Sequence, residues 1–193
     1  MASIPHQLFQ QPWPDGEYRF FQLGFVVDDL FGAAARWAHV FGIGPFHAIP
    51  RTQVPCTYRG TESELDVQVA VAQAGPVQIE LIKQFSEGPS VYRDLVAKGE
   101  SGFHQLCTVT LDYDATKAHY ESLGYELACE FRVDPHTVYF DTVRDFGFFT
   151  EVVEASDYLR HFDRIAKTCA EWDGTDPVRI ITRDGYRIPT TDT

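Results

Sequence analysis

The amino-acid sequence carries one pattern twice, and this duplication constrains the fold more than any other feature. Residues 21–27 (FQLGFVV) are matched by residues 104–110 (HQLCTVT). Both segments show the period-two alternation that is typical of a strand with one buried face. A helical segment follows each of them and ends at a glycine, Gly42 in the first copy and Gly124 in the second. Because Asp residues precede both helical segments and glycine readily closes a last turn, each copy predicts a strand followed by a capped helix.

Three more strand-like segments follow each predicted helix. They lie at residues 45–50, 65–72 and 77–83 in the first copy and at 126–133, 137–142 and 148–153 in the second. The repeating unit is therefore β-α-β-β-β. We expect one domain at residues 18–154, with a first module at 18–84, a second module at 102–154 and a short linking helix at 90–98.

Two segments lie outside this repeat. Residues 51–64 are polar and contain Pro55 and Gly60, which predicts a surface loop placed as a lid over a pocket. Residues 155–193 predict a C-terminal helix, followed either by a small hairpin around Asp184-Gly185 or by an extended or disordered tail. Ser156 would cap this helix, and one of its faces would carry Tyr158, Phe162, Ile165 and Cys169.

Charge and composition exclude several classes of function. The chain has 28 acidic and 16 basic side chains, and its net charge of -12 disfavours nucleic acid and anionic membranes as partners. It has no run of about 18 apolar residues, and its first residues lack the pattern of a secretory signal. The four cysteines are far apart, as expected for buried thiols in a reducing compartment. We therefore expect a soluble, cytoplasmic protein with no nucleic-acid or membrane partner.

Strand alternation places four polar side chains on one face of the predicted sheet. The other face is uniformly apolar, with Leu23 and Leu81 among its members, and is expected to pack under the helices. The opposite, concave face would carry, at equivalent positions of the first and last strands of each copy, Gln22, Glu80, Gln105 and Glu151. Burial of unpaired carboxylates is costly, so this set indicates a site. The alternative is an open sheet whose concave face simply meets solvent.

Three segments in this order resemble the vicinal oxygen chelate superfamily, which includes glyoxalase I, methylmalonyl-CoA epimerase, extradiol dioxygenases and bleomycin-resistance proteins. They are FQLGFVVDDL, GPVQIELI and GFHQLC, and the resemblance covers about residues 18 to 154. The sequence is similar in particular to the glyoxalase and epimerase branch of this superfamily. The resemblance implies an α+β fold in which paired βαβββ modules form a curved, half-barrel mixed sheet with helices on its convex face. It also implies a homodimer.

The resemblance further implies a metal centre, with ligands from the first and last strands of each module. Carried over residue by residue, these ligands are Gln22, Glu80, Gln105 and Glu151. Two carboxylates and two amides suit Mg²⁺, Mn²⁺ or Ca²⁺ better than zinc, and an empty site is the alternative because amides are weak ligands. Fe(II) ring cleavage is disfavoured, because the set lacks two histidines. The neighbouring His104 is expected to face the helices, unless a local bulge turns it inward.

The chemistry that the resemblance implies is proton removal from a carbon next to a carbonyl, as in a glyoxalase-like or epimerase-like lyase or isomerase. Glu151 is the first candidate for the base and Glu80 the second, because two acids that face one cavity raise each other's pKa. An epimerase also needs a second acid or base on the other side of the substrate. The candidates for this role are Glu62, Glu64 and His47.

The substrate class is open between a small acyl thioester and a 2-oxo or hydroxy acid derivative. An anionic conjugate would need a basic rim, for which the candidates are Arg51, Arg59, Lys83 and Arg93. An aromatic portion would suit a pocket that contains some of the rings of Phe21, Phe46, Phe148 and Phe149. The alternative function is a metal-free protein of the bleomycin-resistance kind, which binds an aromatic ligand in the same cleft without catalysis.

Overall fold

The computed structural model describes residues 19–156 and 160–190. Its elements, in chain order, are β1 (Arg19–Val26), α1 (Leu30–Phe41), β2 (Phe46–Ala48), β3 (Thr52–Tyr58), β4 (Thr61–Ala74), β5 (Val77–Gln84), α2 (Val91–Leu95), β6 (Gly102–Thr110), α3 (Tyr113–Ser122), β7 (Leu127–Phe131), β8 (Thr137–Phe140), α4 (Val143–Phe146), β9 (Phe149–Glu154), α5 (Arg160–Ala170), β10 (Val178–Thr182) and β11 (Gly185–Arg187).

The strands form one mixed sheet that curves back on itself. Its order is β11-β10-β2-β4-β3-β7-β8-β9-β6-β1-β5, and β5 also pairs with β4, so eight of the strands close into a ring. The first and last strands of each copy are parallel, β1 with β5 and β6 with β9, whereas β1 and β6 are antiparallel and join the two copies. The predicted α+β fold with paired modules around a curved mixed sheet is confirmed.

Two helices pack on the outside of this sheet. Asp29 caps α1 by accepting a hydrogen bond from the backbone N–H of Gly32 at 3.0 Å, and Gly42 ends the helix with a positive φ of 67°. The helix packs through Leu30 and Ala34 on an apolar layer that includes Leu81. In the second copy, Tyr120 of α3 stacks on Phe140 with ring centroids 4.5 Å apart. The helices therefore cover the apolar face, and the other face is free to form an interior.

Residues 51–64 do not form the predicted loop. Most of them belong to β3 and to the start of β4, which pair in register from Thr52 with Val67 to Tyr58 with Thr61. The prediction was wrong because only alternate residues of this hairpin face the interior, where Cys56 and Leu65 are buried, while the remaining residues are polar. Gly60 lies in the tight turn with a φ of 78°, which accounts for its place in the sequence.

The C-terminal segment completes the sheet and covers its concave side. Strand β10 pairs in parallel with β2, and β11 returns antiparallel to β10, so the hairpin alternative is confirmed. Helix α5 lies over β4, and its Phe162 ring is 5.8 Å from the ring of Phe21. The predicted position of Tyr158 in this helix lies outside the described residues. Within the described ranges, none of the helices has the length and apolar character that a membrane span needs.

We expect the C-terminal strand to contribute strongly to stability. Ile180 is 3% exposed and packs in the layer beneath α1, whereas Ile188, eight residues further on, is 46% exposed. Ile180→Ala should lower the free energy of unfolding by about 2–5 kcal/mol because it leaves a cavity in the core. The control, Ile188→Ala, should change it by less than about 0.5 kcal/mol. Urea denaturation measures both values, and equal effects would show that β10 is not part of the core.

Candidate functional site

The interior of the curved sheet contains a cavity of about 760 Å³. Its floor is formed by strands β1, β5 and β9, and α5 together with the β10–β11 hairpin covers it from the other side. Its walls are mostly apolar, with Val71 and Val153 among them. Polar side chains lie at two places: Gln22, Glu80 and Glu151 on the floor, and arginines at the end formed by the C-terminal segment.

Three of the four predicted site residues share one hydrogen-bonded cluster. The Nε2 of Gln105 donates to Oε2 of Glu80 at 3.2 Å and to Oε2 of Glu151 at 3.4 Å. Tyr139 donates its hydroxyl proton to Oε1 of Glu151 at 3.0 Å. Gln22, the fourth residue, lines the same cavity and donates to Oε1 of Gln78 at 3.3 Å. The alternative of a concave face open to solvent does not apply, because Gln22, Gln105 and Glu151 are buried.

Strand register explains why these residues meet. Gly24 of β1 is paired with Glu80 on one side and with Gln105 on the other. In the second copy, Cys107 of β6 is paired in the same way with Glu151. Residues that are paired across neighbouring strands point to the same face, so two parallel strand pairs bring one carboxylate each to the interior. The missing side chain of Gly24 leaves the space that the Gln105 amide fills, because an added Cβ would collide with it.

Burial makes both carboxylic acids weaker. It raises the pKa of Glu80 well above its usual range, and the charge of the neighbouring Glu151 raises it further. Burial also raises the pKa of Glu151, but hydrogen bonds from Cys107, Tyr139 and Gln105 act in the opposite direction. None of the ion pairs between described residues involves either carboxylate. The pair is therefore arranged to hold a proton or a cation, with the negative charge stabilised best on Glu151.

His104 does not pack under the outer helices α1 and α3 but contacts Val91 and Tyr92 of the short helix α2, so the face predicted from strand alternation was wrong. Gly24 pairs with Gln105 and Phe25 pairs with Phe103, which leaves His104 as the extra residue of a β-bulge. The bulge turns its side chain into the interior, where the ring stacks on Phe149 with centroids 4.9 Å apart. Period-two reasoning fails at such a point, because the bulge adds one residue to the count.

Both ring nitrogens of His104 have partners. Nε2 lies 2.9 Å from the carbonyl oxygen of Val91, and Nδ1 contacts Oε1 of Gln105. A carbonyl only accepts, so the Nε2 atom carries a proton. Burial lowers the pKa of His104, which favours the neutral ring with a lone pair on Nδ1. A half-turn of the Gln105 amide would give its nitrogen to this lone pair and present its oxygen to the two carboxylates.

Of the three candidates for a second acid or base, only His47 lines the cavity. Glu62 and Glu64 are exposed on the outer hairpin. His47 pairs with Val71, which pairs in turn with Glu80, so the histidine and the glutamate share a face two strands apart. The Nδ1 atom of His47 is buried and has no hydrogen-bond partner among the described residues. Burial and the charge of Arg179 lower the pKa of His47.

The predicted basic rim is not at this cavity. Arg59 is bound to Asp94 at 2.9 Å and to Asp141 at 2.7 Å, and Arg51 is paired with Asp66. Arg51 and Lys83 line a separate, smaller cavity, while Arg93 lines neither. The arginines at the main cavity come instead from the C-terminal segment and are Arg164, Arg179 and Arg183. The sequence signal was partial, because alternation along β10 places Arg179 and Ile181 on one face, whereas Arg183 lies in the turn between β10 and β11.

Only one of the four candidate rings lines the cavity, that of Phe21. Phe46 is buried beneath α1, and Phe149 is buried against His104. Phe148 packs against Phe103 with centroids 5.6 Å apart. The second ring of the cavity is that of Phe162 on α5, which the duplicated pattern did not indicate.

The donor atoms that converge here fit a hard divalent cation. In the part of the chain that the structure describes, His, Cys, Asp and Glu side chains form no group of three or more that could hold a metal ion. The oxygen donors are instead those of the two carboxylates and of the Gln22 amide, which are ligands of the kind that Mg²⁺, Mn²⁺ and Ca²⁺ prefer. Gln105 turns its amide nitrogen to both carboxylates and would offer Oε1 only after a half-turn of the amide. The negative charge of two neighbouring carboxylates also calls for a compensating positive charge.

We expect Gly24 to be essential for the cluster. Gly24→Ala would push the Gln105 amide away from Glu80 and Glu151, and should lower the free energy of unfolding by about 1–3 kcal/mol. The control is Gly102→Ala in β6, where the nearest atom to an added Cβ is Val96 Cγ2 at 3.5 Å. Thermal unfolding of the two variants tests this expectation, and equal melting temperatures would contradict the close approach of strand and amide.

Several solved structures with the same fold are methylmalonyl-CoA epimerases. The enzyme from Mycobacterium tuberculosis aligns with a TM-score of 0.58 and 18% identity, over 78% of this chain and 97% of that chain. An epimerase in complex with methylmalonyl-CoA and NH4+ aligns with a TM-score of 0.50 and 18% identity, over 74% of this chain and 97% of that chain. A Streptomyces coelicolor epimerase variant in complex with 2-nitronate-propionyl-CoA aligns with a TM-score of 0.50 and 19% identity, over 74% of this chain and 97% of that chain. At these identities the similarity concerns the fold.

The sequence itself has no match among curated proteins. A family model does match it, over residues 21–140, and this match includes both first strands and both outer helices. The model describes the glyoxalase/bleomycin resistance protein/dioxygenase superfamily. The matched region is more than half of the chain, and the paired modules of the structure agree with it. The chain belongs to this superfamily, that of the vicinal oxygen chelate proteins.

Proposed function

We propose that this protein is a lyase or isomerase of the glyoxalase or methylmalonyl-CoA epimerase type, which removes a proton from a carbon next to a carbonyl group. The observation that carries the proposal is the pair of carboxylates, Glu80 and Glu151, that share the Gln105 amide at the floor of a covered cavity. A carboxylate with a raised pKa is a stronger base than one in water. Superfamily membership and the fold of the epimerases support the same chemistry.

Glu151 is the proposed base. It accepts hydrogen bonds from Tyr139 and Gln105, so at neutral pH the negative charge resides there while Glu80 more readily holds a proton. Burial and the two carboxylates raise the pKa of Tyr139, which keeps the phenol a neutral donor. His47 on the opposite wall is the proposed group that returns a proton from the other side of the substrate, as an epimerase requires.

The proposed cofactor is a divalent cation, Mg²⁺, Mn²⁺ or Ca²⁺. The residues that would hold it are Gln22, Glu80, Gln105 and Glu151, whose donors fit a hard ion. When bound, such an ion stabilises the negative charge that develops on the carbonyl oxygen. For this role the Gln105 amide would be turned by half a rotation from its orientation in the structure, so that Oε1 faces the carboxylates and the nitrogen donates to Nδ1 of His104. The carbonyl of Val91 holds His104 in the tautomer that this requires.

The proposed substrate is a small acyl thioester or a 2-oxo or hydroxy acid derivative. Two of the structural neighbours were solved with acyl-CoA compounds, methylmalonyl-CoA and 2-nitronate-propionyl-CoA. The mostly apolar walls and the rings of Phe21 and Phe162 favour a substrate with an apolar body. A homodimer and a cytoplasmic location stay predictions, the first from the superfamily and the second from the sequence.

A second candidate function is a metal-free protein that binds an aromatic ligand without catalysis. Two observations favour it: two of the four ligand positions hold neutral amides, and α5 covers the cavity. The two functions differ in what stabilises the folded protein, because a ligand that binds only the native state raises its melting temperature.

Proton exchange tests the enzymatic proposal. The protein is incubated in D₂O with Mg²⁺, Mn²⁺ or Ca²⁺ and with acyl thioesters or 2-oxo acids. These compounds should gain deuterium at the carbon next to the carbonyl, and mass spectrometry measures the gain. Glu151→Gln should slow this exchange by at least about 100-fold, because a positioned base typically supplies that much. The matched control is Glu154→Gln on the same strand, whose carboxylate lies outside the cavity and pairs with His136.

The result of the exchange experiment is combined with a thermal-shift screen. Stabilisation by Mn²⁺ or Mg²⁺ that is lost in Glu151→Ala supports the enzyme, whereas stabilisation by aromatic compounds alone supports the binding protein. An absence of deuterium exchange with every metal added would refute the proposed enzymatic function.

A further inference from the structure

We propose that the C-terminal end of the cavity is an anion subsite, in which Arg179 binds the carboxylate of a ligand with an apolar body. The two ends of the cavity differ sharply in charge. One end holds the carboxylates of Glu80 and Glu151, and the other is lined by Arg164, Arg179 and Arg183. The subsite depends on the cavity alone, so it is expected whether the protein is a catalyst or a binding protein.

The guanidinium of Arg179 is fixed in place by neutral groups. Its Nε donates to the carbonyl oxygen of Asp176 at 3.2 Å, and a terminal nitrogen donates to that of Thr175 at 3.4 Å. The ring of Tyr186 lies against the guanidinium, with its centroid 4.6 Å from Cζ. Because these partners are carbonyl dipoles and an aromatic ring, they orient the side chain without neutralising its charge.

No carboxylate of a described residue forms an ion pair with the three arginines, although that of Asp173 is near enough to Arg179 for the guanidinium charge to help lower the Asp173 pKa. None of the ion pairs among the described residues includes Arg164, Arg179 or Arg183, although the chain has 28 acidic side chains against 16 basic ones. Elsewhere on the molecule, arginines such as Arg59 and Arg132 are paired with acids. Uncompensated guanidinium groups around a cavity in an acidic protein attract an anion from solution.

The orphaned nitrogen of His47 is an independent indication of a ligand at this end. His47 is paired with Arg179 across β2 and β10, so both side chains enter the cavity from neighbouring strands. The Nδ1 atom of His47 is buried and lacks a partner among the described residues, which is costly unless a ligand or water satisfies it. Burial, and after it the charge of Arg179, lowers the pKa of His47, which places the guanidinium close to this ring.

Strand register sets the length of the ligand. Arg179, His47, Val71 and Glu80 lie on four successive strands and are paired in one row. With about 4.8 Å between strands, the Cα atoms of Arg179 and Glu80 are about 14 Å apart. The wall between them is apolar, with Val71 in the row and Ile181 and Phe162 beside it. A ligand that spans the cavity therefore has a carboxylate at one end and an apolar body of several carbons.

A carboxylate is favoured over a more highly charged anion. The planar guanidinium matches a carboxylate with two parallel hydrogen bonds. The acidic pair at the far end of the same cavity would repel a dianion such as a phosphate monoester more strongly than a monoanion. If the proposed proton transfer also holds, the substrate is an apolar acid whose reactive carbonyl lies at the end remote from Arg179.

Binding of two matched probes tests the subsite. The probes are 1-naphthylacetate and its neutral counterpart 1-naphthylacetamide, which share the apolar body and differ in charge, and calorimetry measures their affinities. We expect the carboxylate to bind about 10-fold more tightly than the amide, because a charge-assisted hydrogen bond is worth that much. Arg179→Gln should remove this preference and leave the affinity for the amide unchanged.

The control variant is Arg187→Gln in the same hairpin. Arg187 pairs with Ile180, so it lies on the opposite face of the sheet and lines the other cavity. It should retain the preference for the carboxylate. The double variant Arg164→Gln with Arg183→Gln changes only exposed side chains, so it folds independently of the buried contacts of Arg179. It should reduce the preference in part.

Three results would overturn the subsite: no binding of 1-naphthylacetate, equal affinities for the two probes, or a preference that persists in Arg179→Gln. Failure of the proposed enzymatic function gives a different result, namely carboxylate binding without deuterium exchange. The two proposals are therefore tested separately.

Discussion

The two buried carboxylates that share one amide are the interaction on which the rest of the site depends. Glu80 and Glu151 come from different modules, and the amide of Gln105 reaches both only because Gly24 leaves room for it. Placing two acids in an apolar interior costs free energy unless protons, donors or a cation compensate them. This cost makes the cluster unsuited to a purely structural role. The same cost explains why oriented polar groups surround the cluster, namely the hydroxyl of Tyr139, which donates to Glu151, and the ring of His104, which contacts Gln105.

Alternation along regular strands was sufficient to predict the repeated β-α-β-β-β unit and the four inward polar residues, whereas the curved mixed sheet followed from the resemblance to the superfamily. The rule places Gln22, Glu80 and Glu151 correctly because the strands that carry them keep a fixed register with their parallel partners. It fails at His104, where one additional residue in β6 changes the face of the side chain. Whether a strand bulges depends on its neighbour across the sheet, so a single sequence does not reveal it. The local signal is Gly24, which is paired with Gln105 on the neighbouring strand, because a glycine in a strand indicates that another group approaches its backbone closely.

The cover of the cavity and its basic end could not be predicted from the repeat, because both arise from contacts between distant segments. The mostly polar composition of residues 51–64 predicts a lid, yet pairing between β3 and β4 makes them part of the sheet. The actual cover comes from α5 and from β10, which joins the edge of β2 more than 120 residues away along the chain. Arg179 follows strand alternation and Arg183 lies in the turn after β10, but nothing local indicates the cavity that they face.

The distribution of these groups suggests a division between the duplicated core and the C-terminal addition. The duplicated β-α-β-β-β units end with β9 at Glu154, so α5 and the β10–β11 hairpin lie outside the repeat. The core supplies the paired carboxylates, which are suited to proton transfer, while the addition supplies the arginines and the ring of Phe162, which are suited to selecting a ligand. Because β10 pairs directly with the strand of His47, the addition sets the electrostatic environment of that histidine as well. The proposed anion subsite and the carboxylate of Glu80 therefore lie in one row of paired residues.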